Sequence, residues 1–141
     1  MLNKDIADWI TRISQPTNKL GNMSVCPFAK NADYSLVETN GCGIVPPEDF
    51  ELVIYKLPDN CTQEEINAIA YEYNRLYPLM VFLPDHKDND TFINGVQTNN
   101  GKYNLILCQW RDKLDIARTK LKKTNYYTFW TEDYLKEILS T

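Results

Sequence analysis

The sequence predicts an α+β fold with a ferredoxin-like βαββαβ core, and three observations lead there. Residues 50–57 are apolar, β-branched and aromatic, bounded by Pro47 and Pro58, as a central strand requires. Residues 62–77 open on the capping box Thr62-x-x-Glu65 and carry apolar side chains at helical spacing. Two further apolar runs, an amphipathic stretch and an aromatic run then complete the β-α-β-β-α-β order by residue 130. One domain follows, with an N-terminal helix and loop extension over 1–49, the core over 50–130 and a C-terminal helix over 131–141. At 141 residues the chain can bury roughly two thirds of the surface its unfolded form exposes.

Ile6, Trp9, Ile10 and Ile13 form one helical stripe, with Asn3 as N-cap and Pro16 as the stop. Residues 15–25, with Pro, Gly and two Asn, form a loop that delivers the chain to Cys26. There Pro27 suits the first position of a short helical turn, capped by Ser24 or Cys26. Residues 34–38 read as a short strand ended by Asn40-Gly41-Cys42-Gly43, where the glycines supply positive φ. In the helix over 62–77 the apolar set is Ile66, Ile69, Ala70, Tyr73, Leu76 and Tyr77, and Pro78 stops it. Residues 79–83 form a short buried strand, and 84–102 a long polar loop with a hairpin arm at 91–98 turning at Asn99-Asn100-Gly101. Residues 103–109 are strand. Trp110, Leu114, Ala117 and Leu121 mark a helix running to about Lys123, residues 125–130 a last strand, and Thr131 caps a helix carrying Tyr134, Leu135, Ile138 and Leu139.

Composition narrows the function classes. An apolar share of 43% with nine Tyr, five Phe and three Trp excludes a disordered chain. No window approaches the ~20 apolar residues of a membrane span, and Lys4, Asp5 and Asp8 precede any apolar run, so no signal-peptide core is expected and a cytoplasmic location is. Without a secretory route, the glycosylation-type triplets at Asn22, Asn60 and Asn89 are chance products. Cys26, Cys42, Cys61 and Cys108 are widely spread without a C-x-x-C, so four free thiols are expected.

Chemistry concentrates in two stretches. Cys26 at a helix N-terminus, with Lys30 one turn on, has the surroundings that favour a thiolate, which makes it a candidate nucleophile with Phe28 beside it as a substrate contact. The competing reading is a packed corner in which Phe28 enters the core. The second stretch, residues 84–90, holds the one histidine. His86 has the ordinary pKa of a general base (~6.5), and Asp85 is at hand to orient it or to touch substrate. Asp85, Asp88 and Asp90 also suit a hard cation, but their spacing is not that of an EF-hand, and no metal or other cofactor is assigned. The competing reading is a solvated loop of turn-forming Asp and Asn. Cys42 is the candidate resolving thiol for Cys26, against an ordinary turn cysteine.

The Cys-Pro-Phe-Ala-Lys run at 26–30 resembles the start of a glutaredoxin active site, but Ala29 stands where a dithiol enzyme has its second Cys and no suitable strand precedes Cys26. Taken with Trp9 in the first helix, the helix over 62–77 and the strand that ends in Phe82-Leu83-Pro84-Asp85, the same run resembles a family of uncharacterised bacterial proteins with an N-terminal (Leu/Val)-Cys-Pro-Phe-Ala-Lys motif. That resemblance implies importance for the motif and supplies no chemistry.

Three functional expectations result. The first is a small cytosolic thiol-dependent enzyme or small-molecule-binding protein, with Cys26, Lys30 and His86 in catalysis and Phe28, Cys42 and Asp85 at the substrate. The second is a non-catalytic interaction module that forms a homo-oligomer or binds a protein partner. The third is nucleic-acid binding through residues 111–123, where Arg111, Lys113, Arg118, Lys120, Lys122 and Lys123 outnumber Asp112 and Asp115 and aromatics follow at Tyr126, Tyr127, Phe129 and Trp130. A net charge of −4 and the absence of an RNP-like signature place it last.

Overall fold

The near-continuous apolar run over residues 52–57 organises the computed structural model, which describes residues 1–20, 23, 24, 26, 33–44, 52–93, 95–124 and 127. Strand β2 (Leu52–Leu57) lies inside a four-stranded sheet of order β1-β2-β6-β3, with β1 at Tyr34–Glu38, β3 at Met80–Asp85 and β6 at Asn104–Trp110. β1 pairs parallel with β2, while β6 runs antiparallel to both β2 and β3. The sheet is therefore mixed, and β1, β2 and β3 all end at the same side.

Because successive side chains point to opposite faces, β2 serves two cores. Val53, Tyr55 and Leu57 join Ile106, Cys108 and Phe82 on one face, covered by Ile66 and Ala70 of α2 (Gln63–Leu76), with Ile69 and Tyr73 packed alongside. Ile54 joins Leu105 on the other, with Leu36, Leu52 and Leu107 packed alongside, covered by Ile6, Trp9 and Ile13 of α1 (Leu2–Ser14). Helix, sheet and helix thus form three layers. Each fully buried Ile or Leu contributes about 1.5–3 kcal/mol over an exposed one, which explains why the central strands lack polar alternation.

Helix α2 begins where its sequence says it should. The Thr62 hydroxyl accepts from the Glu65 amide at 3.1 Å, and the Thr62 amide donates to the Glu65 carboxylate at 3.1 Å. Near its other end Asn74 holds the outer backbone of edge strand β3, accepting from Phe82 N at 2.7 Å and donating to Phe82 O at 2.9 Å. Paired this way, β3 presents less open backbone to other chains.

The fold is α+β as expected, but the parallel β1–β2 pair and the strand order depart from the wholly antiparallel sheet of the ferredoxin-like expectation. The edge beside β2 is occupied by β1, from the presumed extension. The expected strand over 125–130, except for Tyr127, and the helix over 131–141 lie outside the described residues, as does the helical turn after Cys26. The hairpin in the long loop is also placed differently. It pairs β4 (Phe92–Ile93) with β5 (Val96–Gln97) and turns through Gly95 at φ +83°, not at residues 99–101. Helix α3 (Arg111–Lys122) follows β6 without a break. No described helix is long and apolar enough to cross a membrane.

Candidate functional site

Three loops meet where β1, β2 and β3 end, and they carry three of the residues singled out in the sequence. Asp85 closes β3, His86 follows it, and Cys42 lies in the turn after β1. Ligands of α/β sheets commonly bind beyond the carboxyl ends of strands, so this is the first place to test.

Asp85 is half-buried there. Its Oδ2 accepts from the backbone amide of Asn100 at 3.2 Å and from Asn100 Nδ2 at 3.0 Å. Burial raises its carboxyl from 3.8 to about 6, against the opposing pull of the Asn100 hydrogen bonds and of the Arg12 and His86 charges. Arg12 is held beside it by donating Nη2 to the Asn99 carbonyl at 2.6 Å. Asn100 also closes its own turn, since its Oδ1 accepts from the amides of Lys102 and Tyr103 at 3.0 and 2.7 Å. The Trp9 indole, donating to the Thr98 carbonyl at 3.0 Å, fixes this loop to α1.

His86 has both ring nitrogens engaged. Nδ1 accepts from the Asp88 amide at 3.1 Å, so the proton sits on Nε2, which donates to the Cys61 carbonyl at 3.1 Å. Asn104, fully buried, donates Nδ2 to that carbonyl at 3.1 Å and to Pro58 O at 3.0 Å, while its Oδ1 accepts from the Lys87 amide. The imidazole therefore ties the loop after β3 to the loop after β2. It is not directed at Cys26, which packs against the α1 core on the opposite face of the sheet from Cys61.

Cys26 is half-buried, and its amide donates to Ile13 O at 2.8 Å at the end of α1. Tyr127 lies within electrostatic reach of it, and Arg118, buried on α3, lies within reach of Tyr127. Lys30 and Phe28 lie outside the described residues. Two expectations about thiols are corrected. Cys42 is bonded to Cys61 in a disulfide, so the four thiols are not all free, and Cys42 does not stand as a resolving thiol for Cys26. Cys108 is buried, and burial pushes its thiol up to about 12.

The acidic loop distributes its carboxylates rather than gathering them. Asp88 pairs with Lys87 at 3.0 Å, and Asp90 accepts from Gln97 and Asn99. Among the described residues no group of three or more His, Cys, Asp or Glu is placed to hold a metal ion. The basic helix is also partly committed: Arg118 is buried, and Arg111 donates to the carbonyls of Pro78 and Met80.

A different feature, absent from the sequence reading, lies at the other end of the sheet. A recess of about 550 Å³ is lined by Leu79, Trp110, Arg111, Asp112, Lys113 and Asp115, where the turn into β3 meets the start of α3. Leu79 is 73% exposed, and Leu76 and Tyr77 close by in the chain are exposed as well. The signal lies in Tyr77-Pro78-Leu79: Leu79 follows the helix stop and stands exposed ahead of β3, which begins at Met80, not inside the buried strand expected over 79–83. No protein-family model, curated protein or solved structure matches this chain.

Proposed function

We propose that the domain is an interaction module that associates with a second copy of itself through the recess at the start of α3. The observation that carries this reading is Leu79, a large apolar side chain left mostly in water beside a recess lined by Trp110. Apolar surface rimmed by polar groups marks protein contacts, and Trp and Arg are the residues most often found at their energetic centres. The rim carries Arg111 and Lys113 with Asp112 and Asp115, so its charge is balanced. A two-fold axis that sets the cations of one copy against the anions of the other makes such a surface complementary to itself.

Sedimentation velocity across the micromolar range tests this. The wild-type chain is expected to show a concentration-dependent dimer, and Leu79→Asp a monomer with an unchanged circular dichroism spectrum. A wild-type chain that stays monomeric throughout, or a Leu79→Asp variant that dimerises equally well, would refute the proposal.

A second reading, a small-molecule site at the strand ends, is favoured by Asp85, whose carboxyl is raised into the range useful for proton transfer. It uses Asp85 rather than Cys26, because the base that the sequence offered to Cys26 is engaged elsewhere. We also take β2-α2-β3, with β6 between its two strands, as a split βαβ unit, which supports a ferredoxin-like reading of this part of the chain.

A further inference from the structure

We propose that Cys42–Cys61 is a thiol–disulfide exchange site for a small monothiol of the glutathione class, and that its opening releases the loop held by His86. The two sulfurs are unequal. Cys42 is exposed in the turn after β1, whereas Cys61 is 1% exposed beneath it. Exchange requires the attacking thiolate to approach in line with the bond being broken. Of the two residues, Cys42 is the one exposed to solvent. The residues on either side, Gly41 and Gly43, add no side chain beside Cys42.

The chemistry balances as follows. A thiolate attacks Cys42 Sγ, a mixed disulfide forms there, and the Cys42–Cys61 bond breaks with its electron pair leaving on Cys61. Cys61 then takes up a proton. A second thiolate attacks the sulfur of the bound thiol, forms the external disulfide and leaves Cys42 as a thiolate. Two equivalents of thiol are oxidised and one protein disulfide is reduced. Cys61 immediately precedes the N-cap Thr62, so the leaving sulfur belongs to the start of α2, where Glu64 and Glu65 offset the favourable helix field. The selectivity accordingly rests on access.

The consequence of opening follows from the Cys61 carbonyl. It accepts from both His86 Nε2 and Asn104 Nδ2, and His86 in turn accepts from the Asp88 amide. The bond closes a segment of sequence separation 19 and holds that carbonyl in place. Once it is cut, residues 58–61 lose their tie to the turn after β1, and the anchor of His86 moves with them. In a reducing compartment such a bond turns over and reports the thiol pool; in an oxidising one it stays closed.

The test uses the full oxidised chain in native buffer. Glutathione is added, the mixture is acid-quenched and alkylated, and the thiols are located by peptide mass spectrometry. The expected result is reduction without denaturant through a mixed disulfide on Cys42, with His86, the one histidine, shifting its ring resonances. Exchange of the Asp88 amide should rise by about tenfold or more. Glutathione found on Cys61, reduction only in denaturant, or reduction by dithiothreitol but not by glutathione would overturn the assignment. Unchanged His86 and Asp88 signals after complete reduction would overturn the release. Treating Cys61→Ser with oxidised glutathione gives an independent check, because the adduct must then accumulate on Cys42.

Discussion

Replacing Asp85 by Asn separates the charge at the strand ends from its shape. The amide keeps an oxygen where the carboxylate accepts from the Asn100 backbone and side chain, so the loop retains its hydrogen bonds while losing a half-buried charge. In the folded chain the carboxyl titrates at about 6 rather than at 3.8. At about 1.4 kcal/mol per pH unit, that difference amounts to at most about 3 kcal/mol, reduced by whatever solvent screening remains. Because the folded pKa is the higher one, the unfolded chain gives up this proton first as pH rises. Asp85 therefore costs nothing below 3.8, progressively destabilises the fold between 3.8 and 6, and exerts its full penalty above. The favourable fields of Arg12 and His86 act only on the charged carboxylate and are already contained in the value of about 6. Urea unfolding at intervals from pH 4 to 8 should show Asp85→Asn gaining on wild type as pH increases and levelling off above about 6, at a gain below that 3 kcal/mol ceiling. A difference that is flat, or that shrinks with pH, would refute the account of a carboxyl held up by burial.

Two further substitutions test how the layers are held. Thr62→Ala removes the hydroxyl that accepts from Glu65 N and should cost about 1 kcal/mol in urea midpoint at constant slope. Trp9→Phe removes the buried hydrogen bond from the indole to the Thr98 carbonyl, so a loss of about 0.5–1.5 kcal/mol is expected, measured by the same unfolding experiment.

Local chemistry was legible in the sequence where it is self-contained. The Thr62–Glu65 box, the α1 stripe and the two-sided apolar run of β2 each need only near neighbours and stand as expected, although α1 begins at Leu2 with Met1 as its N-cap, which puts the expected cap Asn3 inside the helix. The hairpin is an instructive miss. Asn94-Gly95 between Phe92-Ile93 and Val96-Gln97 is a strong two-residue turn signal, but its strands are only two residues long, too short to show alternation, and Asn99-Asn100-Gly101 drew the turn instead. Asn100 does turn the chain, yet its more consequential role is to hold Asp85, fifteen residues earlier. Cys42 and Cys61 show the deeper limit. Their pairing depends on β1 lying parallel to β2, a register between strands separated by a loop, and no spacing rule within either segment encodes it.

That same register decides how the two proposed surfaces relate. The disulfide, His86 and Asp85 gather at the ends of β1, β2 and β3, whereas the recess lies where β3 begins and β6 ends, since Met80 pairs with Trp110 and Asp85 with Leu105. Six residues of strand separate them, roughly 20 Å. Between them run the hydrogen-bonded pairs of β3 with β6 and side chains that include the fully buried Phe82, Leu105 and Ile106, a close-packed block. Opening the disulfide loosens loops at one end without a path to Leu79 at the other. Self-association and thiol exchange are therefore separable properties of one scaffold, and the failure of either experiment leaves the reasoning behind the other intact.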